Sequence, residues 1–346
     1  MKNNSISLTK RIEVLVYLGK QIELKDEQLL GIQEFSKHKN SWFTLDNTNF
    51  ALENIASRFL QKEKLEAWIA SYQLPEITTP QKVGIIMKGN VPMAGFHDLL
   101  CVFLSGHFAK IKLSKDDEHL IPQLVKIMVE GFPEVKDYFE FVERMPKFDA
   151  IIANGSQDSV KTYQTYFAKS PNIIRENKYG IAVLNGKESK ADLTNLGLDF
   201  FTYFGLSSRS VSKIYIPSDF DFVPLLEATH EYNQIVLNNK YKNNFDYNYT
   251  LLILNSVDYK ANGCIIMVKD EALQSRISML HYERYESEEH LAKLLEVKKS
   301  DIQHIISNNT FTNFKNKGFG EANLVELNDF ENQIDLISFL KNEFNN

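Results

Sequence analysis

Apolar residues recur at three- and four-residue spacing over residues 26–35 and 50–72, which predicts amphipathic helices at the start of the chain. Trp42 and Phe43 fall between them in a short polar-flanked loop. Two prolines, Pro75 and Pro80, then mark 74–80 as a linker or domain crossing. From Lys82 the texture changes to short apolar runs separated by helical patterns. Strands are predicted at 83–87, 108–113, 149–153, 172–175 and 181–184, with helices at 94–104, 120–130 and from 156 to about 167. Alternation at this pace implies a parallel sheet with right-handed crossovers, a doubly wound α/β domain. In the second half, strands are expected at 211–217, 251–254, 264–269, 277–282 and 302–306, and helices at 222–238, 288–295 and 335–344. Residues 238–248 read as a polar, aromatic surface loop, and the acidic run 283–289 as a solvated helix start. The chain divides on this reading into 1–75, 80–204, 205–310 and 311–346, with no internal repeat.

Composition narrows the classes. A length of 346 residues suits about two domains, and 43% hydrophobic with 24% charged residues is ordinary for a globular chain. The net charge of −6 argues against nucleic acid as a partner. Cys101 and Cys264 form no disulfide framework and no Cys-x-x-Cys pair, so a reducing compartment is expected. The stretch 12–18 is interrupted by Glu13 and lacks a cleavage site, so it is no secretory signal. The longest apolar runs, such as 99–104, are too short to span a bilayer. A soluble, cytoplasmic protein is the expectation.

Sheets of this kind bind ligands in the loops at the carboxyl ends of their strands. Three loops qualify: 89–92, 114–117 and 154–156, the last opening a helix whose first amides can face a phosphate. There is no Gly-x-Gly-x-x-Gly and no Walker A sequence, so spacing alone leaves phosphate loops and ordinary turns both open. The histidines are scattered, without a metal-like cluster, and no metal is expected. His281 reads as a core histidine, and Cys101 and Cys264 as buried packing. Residues 205–210 lack a Gly-x-Ser-x-Gly elbow, which gives a hydrolase little support.

Residues 88–115 read KGNVPMAGFHDLLCVFLSGHFAKIKLSK. They resemble the first nucleotide-binding stretch of bacterial acyl-CoA reductases, a family of the aldehyde dehydrogenase superfamily that includes the fatty-acid reductase of bacterial luminescence. The resemblance continues, in order, through DAIIANGS (149–156), IIRENKYGIAVL (173–184), YFGLSSRSVSKIYIP (203–217), ISMLHY (277–282) and GFGEAN (318–323), with SWFT (41–44) and 65–72 also fitting. It spans nearly the whole chain. It implies an aldehyde-dehydrogenase-like α/β fold: a helical N-terminal segment, a Rossmann-like nucleotide-binding domain, an α/β catalytic, acyl-binding domain and a C-terminal return segment.

The implied activity is reduction of an acyl thioester, carried by coenzyme A or an acyl carrier protein, to an aldehyde through an acyl-enzyme. Asn90 matches the amide that helps form the oxyanion hole. Lys112 and Ser114 match the segment lining the adenosine ribose, and Gly155 and Ser156 the turn approaching the pyrophosphate. Lys115 stands where many relatives carry a glutamate that grips the ribose hydroxyls. A cation there favours a 2′-phosphate, so NADPH is expected ahead of NADH; the other reading is a solvated lysine. A homodimer, or pairing with a related reductase, is implied by resemblance alone.

One block departs from the pattern. Where the family reads YFGLGCRNVSK, this chain has Ser207 for glycine, Ser208 for the nucleophilic cysteine and Ser210 for asparagine. Three changes in one block point to natural divergence rather than a single engineered change. A thiol with a pKa of about 8.5 is partly thiolate at neutral pH, whereas a serine hydroxyl needs a dedicated base. The expectation is an impaired reductase. Two alternatives stay open: a catalytically silent relative that binds nucleotide or acyl-CoA or partners an active reductase, and a serine acyltransferase or thioesterase with a base beside Ser208.

Overall fold

The computed structural model describes residues 5–75 and 79–344. The proline-flanked linker thus lies partly outside the described residues, at 76–78. The chain forms two compact units, Met1–Asn177 with Val325–Asn346, and Lys178–Leu324.

In the first unit, helices α1 (Leu8–Leu24), α2 (Glu27–Lys39) and α3 (Leu45–Asn54) each begin on a side-chain cap, since Ser7, Asp26 and Thr44 accept first-turn backbone N–H groups. Such caps satisfy donors that a helix start otherwise leaves unpaired. The single helix expected over 50–72 is three pieces: the end of α3, a π-helical turn Ile55–Phe59, and α4 (Lys62–Ala70). Trp42 and Phe43 do lie in the loop, with Phe43 buried.

A five-stranded sheet follows, built from β1 (Lys82–Ile86), β2 (Phe108–Lys112), β3 (Phe139–Phe141), β4 (Ala150–Asn154) and β5 (Asn172–Arg175). Its order is β3-β2-β1-β4-β5 and every pairing is parallel. Helices α5 (Phe96–Leu104), α6 (Leu120–Gly131) and α7 (Gln157–Phe167) make the crossovers. β4 is buried along its whole length, as an unbroken apolar run in a parallel sheet requires. β3 went unpredicted because a three-residue edge strand leaves too little pattern to read.

The second unit carries β6 (Tyr179–Val183), α8 (Lys190–Phe201), β7 (Val211–Pro217), α9 (Val223–His230), α10 (Asn239–Leu254), β8 (Tyr259–Ala261), β9 (Ile266–Lys269), β10 (Met279–Tyr285), α11 (Glu288–Val297), β11 (Ile302–Ile306) and β12 (Asn316–Lys317). The seven-stranded order is β12-β11-β6-β7-β10-β9-β8, with only the edge strand β8 antiparallel. The boundary expected at 204/205 lies inside this unit, because β6 pairs with β7 and β11. Residues from Val325, including the helix Leu336–Phe344, belong to the first unit.

Three expectations here are corrected. Residues 238–248 are not a loop and 251–254 are not a strand; both lie in α10, capped by Asn238. Its buried positions Tyr241, Phe245, Asn248 and Leu252 are spaced by four, three and four, one helical face. The acidic run 283–289 does not open a helix throughout: Glu283 to Tyr285 end β10 and the helix begins at Glu288. Glu283 is turned inward by the Nζ of Lys213, a fully buried lysine whose ammonium also donates to the carbonyls of Asp270 (2.9 Å) and Glu271 (2.8 Å). A charge removed from water needs such partners. Among the described residues, no helix is long and apolar enough to cross a membrane.

Candidate functional site

In the first unit the candidate residues sit along one edge of the sheet. Ile86 at the end of β1 is in register with Lys112 on β2 and Ala153 on β4, and Asn154 with Arg175 on β5. The loops bearing Asn90, Ser114, Lys115, Gly155 and Ser156 therefore leave the sheet at the carboxyl ends of three adjacent strands. The strand order reverses between β1 and β4, which makes this a topological switch point, where such sheets hold ligands.

The loops are packed against one another. A Cβ on Gly89 would lie 2.5 Å from Ser114 Oγ, so only glycine lets the first two loops approach this closely. Asp117 accepts the backbone N–H of Met93 at 2.7 Å, and Met93 has a left-handed φ of 56°. Burial pushes the Asp117 carboxyl up to about 6, opposed by the backbone N–H groups it accepts. Asp117, the last residue of the candidate loop 114–117, thus ties that loop to the turn after Asn90. Asn90 is half-buried. Ser114 Oγ accepts Asp116 N–H (3.3 Å), Lys112 is half-buried, and Lys115 is exposed. Gly155 donates its N–H to Arg175 O (3.3 Å), and Ser156 caps α7 by accepting from Ser159 N.

Behind these loops lies an ionic network that sequence reasoning missed. Arg175 Nη1 reaches Asp98 Oδ1 at 2.8 Å and Oδ2 at 3.1 Å, and Asn154 Nδ2 donates to Asp98 Oδ2 at 3.0 Å. Arg175 is 1% exposed and Asp98 5%. Glu331 Oε2 stands 3.9 Å from Arg175, while its Oε1 accepts from Lys88 at 2.8 Å. The carboxylates raise the Arg175 pKa against the opposing effect of burial, so the guanidinium stays charged. The network joins the end of β4, the end of β5 and the first turn of α5, bracing the edge from which the candidate loops spring.

Ser208 belongs to the second unit, in the turn before β7. The turn is entered through Tyr203, Phe204 and Gly205, three consecutive residues at φ 56°, 58° and 73°. Left-handed backbone at a non-glycine costs about 1–2 kcal/mol per residue, so the two aromatics are held there by burial. Each of the three serines has a distinct environment. Ser207 Oγ accepts Arg209 N–H at 3.1 Å. Ser210 is buried, donates to Thr202 O at 3.4 Å and accepts from Asn323 Nδ2 at 3.3 Å. Ser208 is half-buried, and among the described residues its hydroxyl makes no hydrogen bond. Gly180 on β6 lies so close behind that a Cβ there would meet Arg209 O at 2.3 Å. Beside Gly180 in register is His304, fully buried and held neutral by burial and by Lys317, Arg209 and Lys315.

The loop after β12 is fixed to α8 by Asp199, whose two oxygens accept Gly320 N–H and Ala322 N–H, both at 2.7 Å. Burial lifts this carboxyl to about 7 against those two donors. Neither cysteine supplies a thiolate. Cys101 is completely buried, its pKa pushed well above normal by burial and then by Asp98, and burial takes Cys264 up to about 11. His281 is a core histidine with Nδ1 at 2.9 Å from Ala272 O. Among the described residues, no group of three or more His, Cys, Asp or Glu side chains is placed to hold a metal ion.

The architecture has close counterparts among solved structures. The Mycobacterium tuberculosis aldehyde dehydrogenase complexed with NAD+ superposes with a TM-score of 0.67 at 13% identity, covering 92% of this chain and 79% of that one. The NAD-dependent aldehyde dehydrogenase from Sinorhizobium meliloti gives 0.65 at 12%, covering 89% and 71%. The fold is aldehyde-dehydrogenase-like. A third structure, the glyceraldehyde-3-phosphate dehydrogenase of Methanocaldococcus jannaschii complexed with NADP, gives 0.64 at 15%, covering 90% and 78%. No family sequence model and no curated protein sequence matches the chain. At these identities the likeness speaks for the aldehyde-dehydrogenase-like fold alone, and the chemistry rests on the residues.

Proposed function

We propose that this chain is a nicotinamide-dependent oxidoreductase of the acyl-CoA reductase type, impaired in turnover by Ser208 at the nucleophile position. The observation that carries the reading is the Ser208 turn. Of its three serines, two are built into the turn by hydrogen bonds, and only Ser208 keeps an uncommitted hydroxyl. The arrangement retains the place of a nucleophile while the residue has lost its easily ionised atom.

The first unit supports the cofactor assignment. Its parallel sheet offers a switch point, α7 offers a capped N-terminus, and Lys112 and Lys115 are in no ion pair among the described residues. These residues fit a dinucleotide: Gly155 and Ser156 at the pyrophosphate, Lys112 and Ser114 at the ribose, and Lys115 at a 2′-phosphate, which favours NADPH. When bound, a reduced nicotinamide supplies the hydride that takes an acyl carbonyl to the aldehyde. The second unit's part is to present the Ser208 hydroxyl to the thioester; the oxyanion role of the Asn90 amide rests on the motif resemblance alone.

Acylation of Ser208 requires a base to take its proton, and no side chain hydrogen-bonds it among the described residues. His304 is neutral but sealed in β11. This favours retained binding with weak chemistry over a serine acyltransferase, and it keeps a silent nucleotide- or acyl-CoA-binding relative as the second reading. Calorimetry of the unaltered chain with NADPH, NADH and acyl-CoAs tests the assignment. NADPH and at least one acyl-CoA should bind with micromolar affinity. If neither class of ligand binds, both readings are lost.

A further inference from the structure

The helical layer of the first unit holds a cavity that the proposed chemistry does not use. It lies among α1, α2 and α3, has a volume of about 220 Å³, and is lined by Ile22, Leu29, Leu52 and Ala56 together with Gln33 and Asn49. Gln33 is only 1% exposed. Its Nε2 donates to Thr48 Oγ1 at 2.9 Å and to Asn49 Oδ1 at 2.8 Å. The Thr48 hydroxyl gives its own proton to the carbonyl of Thr44 (3.2 Å) or Leu45 (3.1 Å), so toward Gln33 it can only accept. The orientation of the Gln33 amide is thereby fixed, and its Oε1 accepts no hydrogen bond among the described residues. The Nδ2 of Asn49 is likewise an uncommitted donor among the described residues. Both residues line the cavity, so a hydroxyl placed there can pair with the amide oxygen of one and the amide nitrogen of the other.

We propose that this cavity is a binding site for a small neutral molecule with an apolar body and one hydroxyl, an alcohol or a phenol. The hydroxyl donates to Gln33 Oε1 and accepts from Asn49 Nδ2, while Ile22, Leu29, Leu52 and Ala56 enclose the apolar part. Of the charged residues that also line the cavity, Glu23, Lys25 and Glu53, the last two pair with each other at 3.0 Å. Size fits the assignment, since a cavity of about 150 Å³ accommodates benzene. The π-helical turn Ile55–Phe59 brings Ala56 and Ser57 to the wall, and π turns recur at functional positions.

Phenol and toluene are matched in size and differ in the hydroxyl, so titration of the full chain with each, by calorimetry and ligand-observed NMR, tests the proposal. Phenol should bind at least about tenfold more tightly than toluene, the worth of one buried hydrogen bond. Gln33→Met should remove that preference while leaving toluene binding unchanged. Asn49→Ala, at a half-buried position, should weaken phenol several-fold and spare toluene; it carries the test if Gln33→Met fails to fold. Equal affinity of the unaltered chain for the two compounds, binding of neither, or a phenol preference that survives both substitutions would overturn the proposal.

Discussion

The two units offer their candidate residues in opposite ways. The first uses the carboxyl edge of a parallel sheet, where Gly89 and Gly155 let short loops pack closely and a buried Asp98–Arg175 pair braces the strand ends. The second uses the amino end of β7, where three left-handed residues deliver a turn whose central hydroxyl is left uncommitted. The first edge packs its candidate loops against one another, whereas the second leaves one hydroxyl of its turn without a hydrogen bond among the described residues. On the proposed reading, cofactor binding and nucleophilic chemistry rest on different units, so each can be tested without disturbing the other.

Three substitutions sharpen this contrast, in descending order of effect. Asp98→Ala strips a buried guanidinium of its main partner, and breaking such a pair costs about 3–5 kcal/mol. Chemical denaturation should show that loss, and NADPH binding should fall with it because the strand ends it braces carry the candidate loops. An unchanged denaturation midpoint would show that the network is not what holds that edge.

Asp199→Asn acts on the second unit. The new amide presents a donor to one of two backbone N–H groups, at a cost of about 1–3 kcal/mol. The sign of its pH dependence is also set. The folded pKa, about 7, is raised above the ordinary value of 3.8, so the folded state holds the proton more tightly between these limits. The Asp199 contribution to stability is therefore full below about pH 4 and declines as pH rises toward about 7. Melting curves across that range should lose this component in the Asn variant, and an identical pH profile would contradict it.

Lys115→Glu is the mildest, since the residue is exposed and its field is screened. It should weaken NADPH about tenfold while leaving NADH within about twofold. Equal effects on both would return Lys115 to a solvated lysine.

Much of the alternation was legible because buried parallel strands are short, apolar and evenly spaced; β11 falls at Ile302–Ile306 as expected. α10 was misread because its asparagines and tyrosines are weak helix formers, although the spacing of Tyr241, Phe245, Asn248 and Leu252 held the signal. α8 was missed despite its Ser189–Asp192 capping box, whose reciprocal hydrogen bonds mark a helix start. The partners of Asp98 and Lys213 are 77 and 70 residues away in sequence, and no local pattern pairs charges over such distances. The candidate positions came from motif resemblance. What distinguishes Ser208 from Ser207 and Ser210 is hydrogen bonding, which only the structure displays.

The central claim is that the second unit keeps a nucleophile's place without its chemistry. It is tested most directly by following NADPH absorbance with a panel of acyl-CoAs, comparing the unaltered chain with Ser208→Cys. The account predicts turnover in the Cys variant at least about a hundredfold above the unaltered chain, with aldehyde as product. Comparable turnover by the unaltered chain would contradict it, because Ser208 would then be no impediment.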